Sequence, residues 1–566
     1  MERPWFQFYD DGIPHTLNLD IPASVIPEFL EQAARNHPRQ AVTVFMGARM
    51  SYRGLYNRVR RLAGALSQLG VGKGDRVAIM LPNCPQMLIA YYAVLSLGGV
   101  TVLTNPLYVE RELEHQWGDA GVKLVITLDL FYPKTKTVGT ALGVSHIIVT
   151  GIQDYLPMTK KMLLPLELRR QGRWVDVEYD HQYILPFRHL AERKQPPPPS
   201  VSLQPDDLAC LQYTGGTTGL PKGAMLTHRN LLASVTQIRS FLLQGHQETE
   251  DKVVAILPLF HVYGMNGVMN LGVLIAATLV LLPRLEIKDL IQAIKTEKPT
   301  FFLGVPALYT AVLNFAGIEK IDLTSIKVCF SGAAPLPVEI IKQFEERTGS
   351  RIAEAYGMTE ASSVTHVNPR HGKRKFGSVG IPIIGTDAKI VDVDDENKVL
   401  GPNEAGELLI KGPQIMQSYW NDPQETADAF AEDGWLRTGD IAEMDEDGYF
   451  TIVDRKKDLI ISSGYNVYPR EVEEVLYQHP KIEQAAVIGL PNKVRGERIA
   501  AYIKLKDGQQ ATKGEIRKFC TEHLADYKRP RTIEFRDELP LSLAGKVLRR
   551  ALREAELAQN NGNGGE

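Results

Sequence analysis

Through the first 350 residues, short apolar runs alternate with amphipathic stretches. This alternation constrains the fold more than any other feature. Residues 76–81 read as a strand, 86–97 as a helix and 100–103 as a strand; farther on, 301–305 and 327–330 read as strands and 338–348 as a helix. Strands that are apolar without alternation are buried on both faces, and the intervening helices must cover those faces. The expected architecture is therefore α/β, a mostly parallel sheet with helices on both sides. Ligands of such sheets bind beyond the carboxyl ends of the strands, where the loops gather.

The chain has 566 residues, more than one core holds, so several domains are expected. Four prolines at 196–199 form a stiff linker to a subdomain opening near Asp207. After Phe376 the texture changes to short strands at 388–393, 406–410 and 449–453, with turns such as DEDG at 445–448. Beyond Lys457 it is mixed again: helices at 471–478 and 513–525, strands at 485–488 and 499–505. The expected division is a large N-terminal domain, 1–454, of layered α/β subdomains (about 1–200 and 201–375) plus a small β-rich one (376–454). A hinge at 455–457, a small mobile α+β C-terminal domain at 458–558 and a disordered tail at 559–566 complete it.

Composition excludes several classes. A net charge of -3 and the absence of a long basic run give nucleic acid no purchase. Cys84, Cys210, Cys329 and Cys520 lie far apart, so neither a disulfide framework nor a paired-cysteine zinc site is expected, and a reducing cytosol fits. The first residues lack the pattern of a secretory signal. Residues 253–283 contain no Asp, Glu, Lys or Arg and could pass for a membrane span. Pro258, His261, Asn266, Asn270 and the glycines among them favour a buried strand–helix–strand unit instead, with strands at 253–257 and 278–282.

The strongest local signal is YTGGTTGLPKG at 213–223. Glycines turn backbone N–H groups toward an anion, threonines add donors and Lys222 adds charge, which is how a phosphate is held. The chain has no Gly-Lys-Ser/Thr triplet, so this is not a Walker A loop. Further strings come in order: PLFHVYG at 258–264, SGAAPL at 331–336, YGMTE at 356–360, WLRTGD at 435–440, DRKKD at 454–458 and SLAGK at 542–546.

In that order, these strings resemble the signatures of the adenylate-forming superfamily of acyl-CoA synthetases, luciferases and peptide-synthetase adenylation domains. The resemblance implies roles. ATP and AMP would be held by Thr214, Gly215, Gly216, Thr217, Thr218, Gly219, Lys222, Gly332, Ala333, Ala334, Tyr356, Gly357, Met358, Thr359, Asp440, Arg455 and Lys546. Glu360 would carry Mg²⁺, and Thr359 would bond the α-phosphate. Tyr356 would stack on adenine, although a strand tyrosine is otherwise core. Asp440, with two acceptor oxygens, would take the ribose hydroxyls; read alone it is a turn residue. Arg455 would reach ribose or phosphate, or else form a surface ion pair.

His261, Tyr263, Gly264 and Gly332 would line the acid pocket, with His261 catalytic or merely lining. Lys546 would bridge two anions, the acid carboxylate and the α-phosphate. Lys457 would be the turning point of the hinge, and Ser463, Gly464 and Tyr465 would face coenzyme A. The catalytic set so implied is Lys546, Thr214, Glu360 and His261.

NPLY at 105–108, RELEHQ at 111–116 and VDRKKDLIISSGYNVYP at 453–469 are similar to bacterial long-chain fatty acid–CoA ligases. The implied reaction joins a fatty acid to CoA with ATP and Mg²⁺, through an acyl-adenylate. An aryl- or medium-chain acid ligase is the alternative, and a decayed nucleotide-binding regulator is the non-enzyme alternative. Residues 160–174 combine Lys160, Lys161, Arg169, Arg170 and Arg173 with aliphatic side chains and Trp174. They suit either peripheral contact with the inner face of the membrane or a solvated loop, with Pro165 and Gly172 expected to interrupt a long helix. The expected location is cytoplasmic, and a homodimer is left open.

Overall fold

The computed structural model describes residues 3–16, 24–214, 221–243, 250–462, 465–492, 496–541 and 547–562. Their strands form four sheets. The first runs, edge to edge, Ile184–Pro186, His146–Thr150, Leu124–Leu128, Arg76–Met80, Val100–Leu103, Leu208–Thr214, Lys222–Thr227. It is parallel except for the last pair. The second runs Ile381–Pro382, Ser363–Val367, Ile352–Met358, Val328–Ser331, Phe301–Gly304, Lys252–Ala255, Thr278–Leu281, Ala41–Phe45, Ala48–Ser51. Its interior is parallel and its margins antiparallel.

Helix Pro85–Ser96 shows why the strands must be apolar throughout. It is buried from Pro85 to Leu95, so it has no polar face, and it belongs to the one large core that spans Trp5 to Phe450. The sheets also exchange segments across the cut expected near residue 200. Ala41–Phe45 pairs with Thr278–Leu281 in the second sheet, while Leu208–Thr214 and Lys222–Thr227 complete the first. Strand partnership is set by long-range pairing, which a linker does not mark. The proline segment lies along helix Tyr52–Gln68, where the Pro196 carbonyl closes over Gly64; a Cβ there would stand 2.1 Å from it.

The uncharged stretch 253–283 is a buried unit. Strands Lys252–Ala255 and Thr278–Leu281 flank a π-helical segment, Tyr263–Asn270, that continues as α-helix Leu271–Leu274. Its asparagines are paired inside: Asn266 Nδ2 donates to Leu231 O (3.2 Å) and Ser362 O (3.0 Å), and Asn270 meets Tyr91 and Tyr92 hydroxyls at 3.0 Å. Among the described residues no helix is long and apolar enough to cross a membrane.

The β-rich sheet runs Asp387–Val391, Gly406–Lys411, Leu436–Met444, Phe450–Arg455, all antiparallel. Beyond it, Ile460–Ser462, Tyr465–Val467, Ile482–Asn492, Gly496–Leu505 and Thr532–Phe535 form a sheet covered by helices Pro469–Tyr477 and Lys513–His523. This last unit packs around its own apolar cluster. Two expectations are corrected. Pro165 does not break the basic segment: one helix, Met158–Arg170, runs through it in spite of the lost backbone donor. Gly172, at φ 66°, lies just past its end. Helix Arg549–Gly562 also reaches into the expected tail at 559–566, over Gln559, Asn560, Asn561 and Gly562, despite the low helix propensity of the last three.

Candidate functional site

The phosphate string begins on strand Leu208–Thr214 and returns on Lys222–Thr227, with Thr214 opposite Lys222. Gly215, Gly216, Thr217, Thr218 and Gly219 lie outside the described residues. The base of the loop is pinned on both sides. The Tyr213 hydroxyl donates to Asp119, and His115 Nε2 stands 2.9 Å from Pro221 O. Lys222 Nζ is paired with the Glu425 carboxylate and sits 5.6 Å above the Tyr419 ring. The Tyr419 hydroxyl donates to Glu360 Oε1 at 2.7 Å, and Met416 N donates to Glu360 O at 2.7 Å. Glu360 is thereby held almost fully buried.

Strand Ile352–Met358 carries Tyr356 to the carboxyl end of the second sheet. Its hydroxyl donates to Asp440 Oδ2 at 2.5 Å, and Arg455 Nε stands 3.6 Å from Asp440 Oδ1. Asp440 and Arg455 face each other across the β-rich sheet. Burial, with the Asp440 charge beside it, keeps the Tyr356 phenol well above its ordinary range, so it is a donor here. His366 packs edge-on to Tyr356 at 5.8 Å, and burial lowers its imidazole to about 3, so it adds no charge. Gly357 cannot be larger, because a Cβ would lie 1.6 Å from Ser363 O. After Thr359 and Glu360 the backbone takes unusual angles, φ 54° at Ser362 and 135° at Ser363. Buried bonds impose them: Ser234 and Asn266 both donate to Ser362 O, at 3.0 Å each.

The acid-pocket string turns at Pro258 and enters the π-helical segment. Gly264 fits only as glycine, since a Cβ would stand 2.1 Å from Pro258 O. Tyr263 lies against Gly332, 3.3 Å from where a Cβ would be, and so joins this string to the loop of Gly332, Ala333 and Ala334. Ala333 has φ 73° and is exposed. Gln212 Nε2 donates to Phe260 O at 2.9 Å, tying the phosphate strand to the same turn. His261 is exposed, and desolvation by the neighbouring protein lowers its pKa.

The structure thus brings together Thr214, Lys222 and Glu360 in one group, Tyr356, Asp440 and Arg455 in a second, and Tyr263, Gly264 and Gly332 in a third. Ser463, Gly464 and Lys546 lie outside the described residues, as do the side chains of Lys457 and Tyr465. Lys457 falls within the short turn Lys456–Asp458 between the β-rich sheet and the C-terminal unit.

Sequence reasoning missed Tyr419 and Glu425. Their one signal was Asp422-Pro423, which starts a helix in the usual way: Asp422 Oδ1 accepts from Glu425 N at 3.0 Å. It also missed Arg549, whose guanidinium reaches Asp454 Oδ1 (3.1 Å), Asp458 Oδ2 (3.1 Å) and Glu473 Oε2 (2.5 Å).

Comparison with known proteins places this geometry. A family model described as AMP-binding enzyme matches residues 30–420, and one described as AMP-binding enzyme C-terminal domain matches 471–546. A long-chain-fatty-acid–CoA ligase of Bacillus subtilis (strain 168) is 44% identical over 558 residues, 98% of each chain. A 4-coumarate–CoA ligase 2 of Oryza sativa subsp. japonica is 36% identical over 506 residues, 88% of this chain and 86% of that one. The crystal structure of the anthranilate CoA ligase AuaEII in complex with anthranoyl-AMP superposes with a TM-score of 0.83 at 27% identity, covering 96% of this chain and 100% of that one. With both family models matched in order, the chain belongs to the AMP-binding enzymes, the adenylate-forming superfamily that its strings resemble.

Proposed function

We propose that this chain is an AMP-forming long-chain fatty acid–CoA ligase. The supporting observation is that a cation for phosphate (Lys222) and a carboxylate for metal (Glu360) are joined through Tyr419, that an aromatic–carboxylate pair suits a nucleoside (Tyr356 and Asp440), and that Tyr263 of the acid-pocket string lies against Gly332. In the first step a fatty carboxylate oxygen bonds the α-phosphorus of ATP, and the bond to pyrophosphate breaks. In the second, the CoA thiol bonds the acyl carbon, and AMP leaves.

Thr214 and Lys222 hold the β- and γ-phosphates, Thr359 the α-phosphate, and Asp440 the ribose hydroxyls once Tyr356 turns its face to the base. Lys546 bridges the two anions that must meet. Among the described residues no cluster of three or more His, Cys, Asp or Glu forms a metal cage. A lone carboxylate at Glu360 fits magnesium, which takes one or two carboxylates and completes its shell with phosphate oxygens and water. Bound there, the ion would neutralise charge on the departing pyrophosphate.

Incubation with Mg²⁺, ATP, CoA and a fatty acid is expected to yield AMP, pyrophosphate and acyl-CoA; ADP and phosphate would end this reading. Each buried CH₂ contributes about 0.8 kcal/mol, so kcat/KM is expected to rise about fourfold per methylene up to the longest chain that the acyl site buries. Cinnamate-type acids outperforming palmitate and oleate would favour the aryl alternative.

Helix Met158–Arg170 supports a further part of the proposal, contact with an anionic lipid surface where the fatty acid is met. None of its residues is buried. Met158, Met162, Leu163 and Leu166 are 64–74% exposed, beside Lys161, Arg169 and Arg170. The Arg169 guanidinium lies 4.8 Å over the Trp174 ring. Apolar side chains among cations on the outer face of this helix match an interface of anionic headgroups and acyl chains. Reversing Lys160, Lys161, Arg169, Arg170 and Arg173 to Glu is expected to abolish sedimentation with anionic vesicles while activity on detergent-dispersed substrate persists. Unchanged sedimentation would leave the segment a solvated surface.

A further inference from the structure

Residues 417–426 carry no assigned role, yet they touch both charged groups of the phosphate side. The segment lies antiparallel to strand Lys222–Thr227: Gln417 N donates to Met225 O (3.1 Å), Met225 N to Ser418 O (3.0 Å) and Trp420 N to Gly223 O (2.8 Å). A tight turn then returns the chain. Tyr419 N donates to Thr426 Oγ1 at 3.0 Å, and Thr426 Oγ1 donates to Asp422 O at 2.8 Å. Asp422 caps Glu425 N. Tyr419 and Glu425 are thus fixed relative to each other and to the strand that bears Lys222.

The result is a seat for the Lys222 ammonium. One ring, Tyr419, has its face toward Lys222 Nζ and its hydroxyl on Glu360. The Glu425 carboxylate pairs with the same ammonium. A lysine beside a phosphate loop that expects a polyanion would otherwise be a bare cation on a flexible stem. Here it is already neutralised. The side chains of Lys222 and Glu425 are 27% and 42% exposed, so the pair is open to water and is exchanged at small cost.

We infer that Glu425 is the counter-ion of Lys222 in the nucleotide-free site, a positioning residue that the triphosphate displaces and that recaptures Lys222 when pyrophosphate leaves. This rests on the reading of Lys222 as a ligand of the triphosphate. A ligand that must displace an internal partner binds more weakly by the fraction of time the partner is engaged. The cost falls on anions that reach Lys222, namely ATP and pyrophosphate. AMP has only the α-phosphate and meets Tyr356, Asp440 and Arg455 instead. Glu425 therefore weakens pyrophosphate more than AMP, which favours release of the first product while the adenylate stays bound.

The test is binding, without turnover, by calorimetry of the full chain in EDTA with inorganic pyrophosphate, ATP and AMP. Glu425→Gln removes the charge and keeps the shape. It is expected to tighten pyrophosphate and ATP about two- to fivefold and to leave AMP unchanged. Glu425→Asp, which keeps the carboxylate, is expected to bind all three as the parent does. Pyrophosphate affinity unchanged in Glu425→Gln would overturn the inference, and so would an equal gain for AMP, which would reduce it to a general field effect. Neither result bears on whether the protein makes AMP from ATP and a fatty acid, so the two readings fail separately.

Discussion

Replacing Arg549 with alanine is expected to cost the C-terminal unit about 3–5 kcal/mol, the usual loss when one partner of a buried ion cluster is removed. Asp454 and Glu473 have side chains only 1% and 11% exposed, and Arg549 is 19% exposed. Burial raises both carboxyl groups above their ordinary values, and the Arg549 charge is what chiefly opposes that rise. Arg470 N adds a bond of 2.6 Å to Asp454 Oδ2 but brings no charge of its own to that oxygen. Without the guanidinium, two carboxylates are left in a poorly solvated place. Because the chain has several units, the quantity to measure is the unfolding transition of residues beyond 458, followed by a local probe under denaturant.

The pH dependence of that loss has a definite sign. In the variant the folded-state pKa values of Asp454 and Glu473 rise further above their unfolded values. Stability is then retained below the unfolded values and lost as pH climbs through the folded ones. The deficit relative to the parent is therefore expected to be largest near pH 8 and smaller near pH 5. Arg549→Lys keeps a charge but cannot make the forked contact, and should recover part of the deficit. A deficit that grows in acid, or an unchanged transition, would show that the cluster does not hold this unit in place.

Arg549 also shows where sequence reasoning stops. The residue types of strand Val100–Leu103 and helix Val338–Thr348 declare themselves locally, because apolar run length and helical period are properties of neighbours. The strings for phosphate, nucleoside and acid declare themselves too, because a loop that cradles an anion needs its glycines and hydroxyls side by side. Pairings across the chain leave no such mark. Ala41–Phe45 reads as a strand in either large sheet, and only its register with Thr278–Leu281 decides which. Glu425 reads as a first-turn helix residue, and nothing around it says that Lys222 is its partner. Tyr356 is open between adenine and core in the sequence, and nothing there announces its bond to Asp440, which comes from a different sheet. Pro165 misled because its local cost, a lost donor and a clash within its own helix, does not by itself decide whether the helix continues.

The hinge has the largest expected effect on activity. In the proposed reaction two chemical steps need two sets of groups around one adenylate, and the resemblance implies Lys546 for the first and the surface near Gly464 for the second. Both lie beyond the turn Lys456–Asp458, which links the strand ending at Arg455 to the C-terminal unit. If that unit turns between the steps, a residue of this turn must absorb a large change in backbone dihedral angle. Lys456 Nζ pairs with Glu407 of the β-rich sheet at 2.7 Å, and the family resemblance implies Lys457 as the turning point. Proline there fixes φ near -65° and restricts Lys456 as well. Lys457→Pro is expected to keep adenylate formation, measured by pyrophosphate exchange, and to lose thioester formation, measured by thiolysis of synthetic acyl-adenylate. Lys546→Ala is expected to do the reverse: pyrophosphate exchange falls by about 10²-fold or more, the scale of one lost electrostatic stabiliser, while supplied acyl-adenylate is still converted to acyl-CoA. The pair separates rotation from chemistry. Two folded variants that lose both half-reactions equally would mean that one arrangement of the C-terminal unit serves both steps.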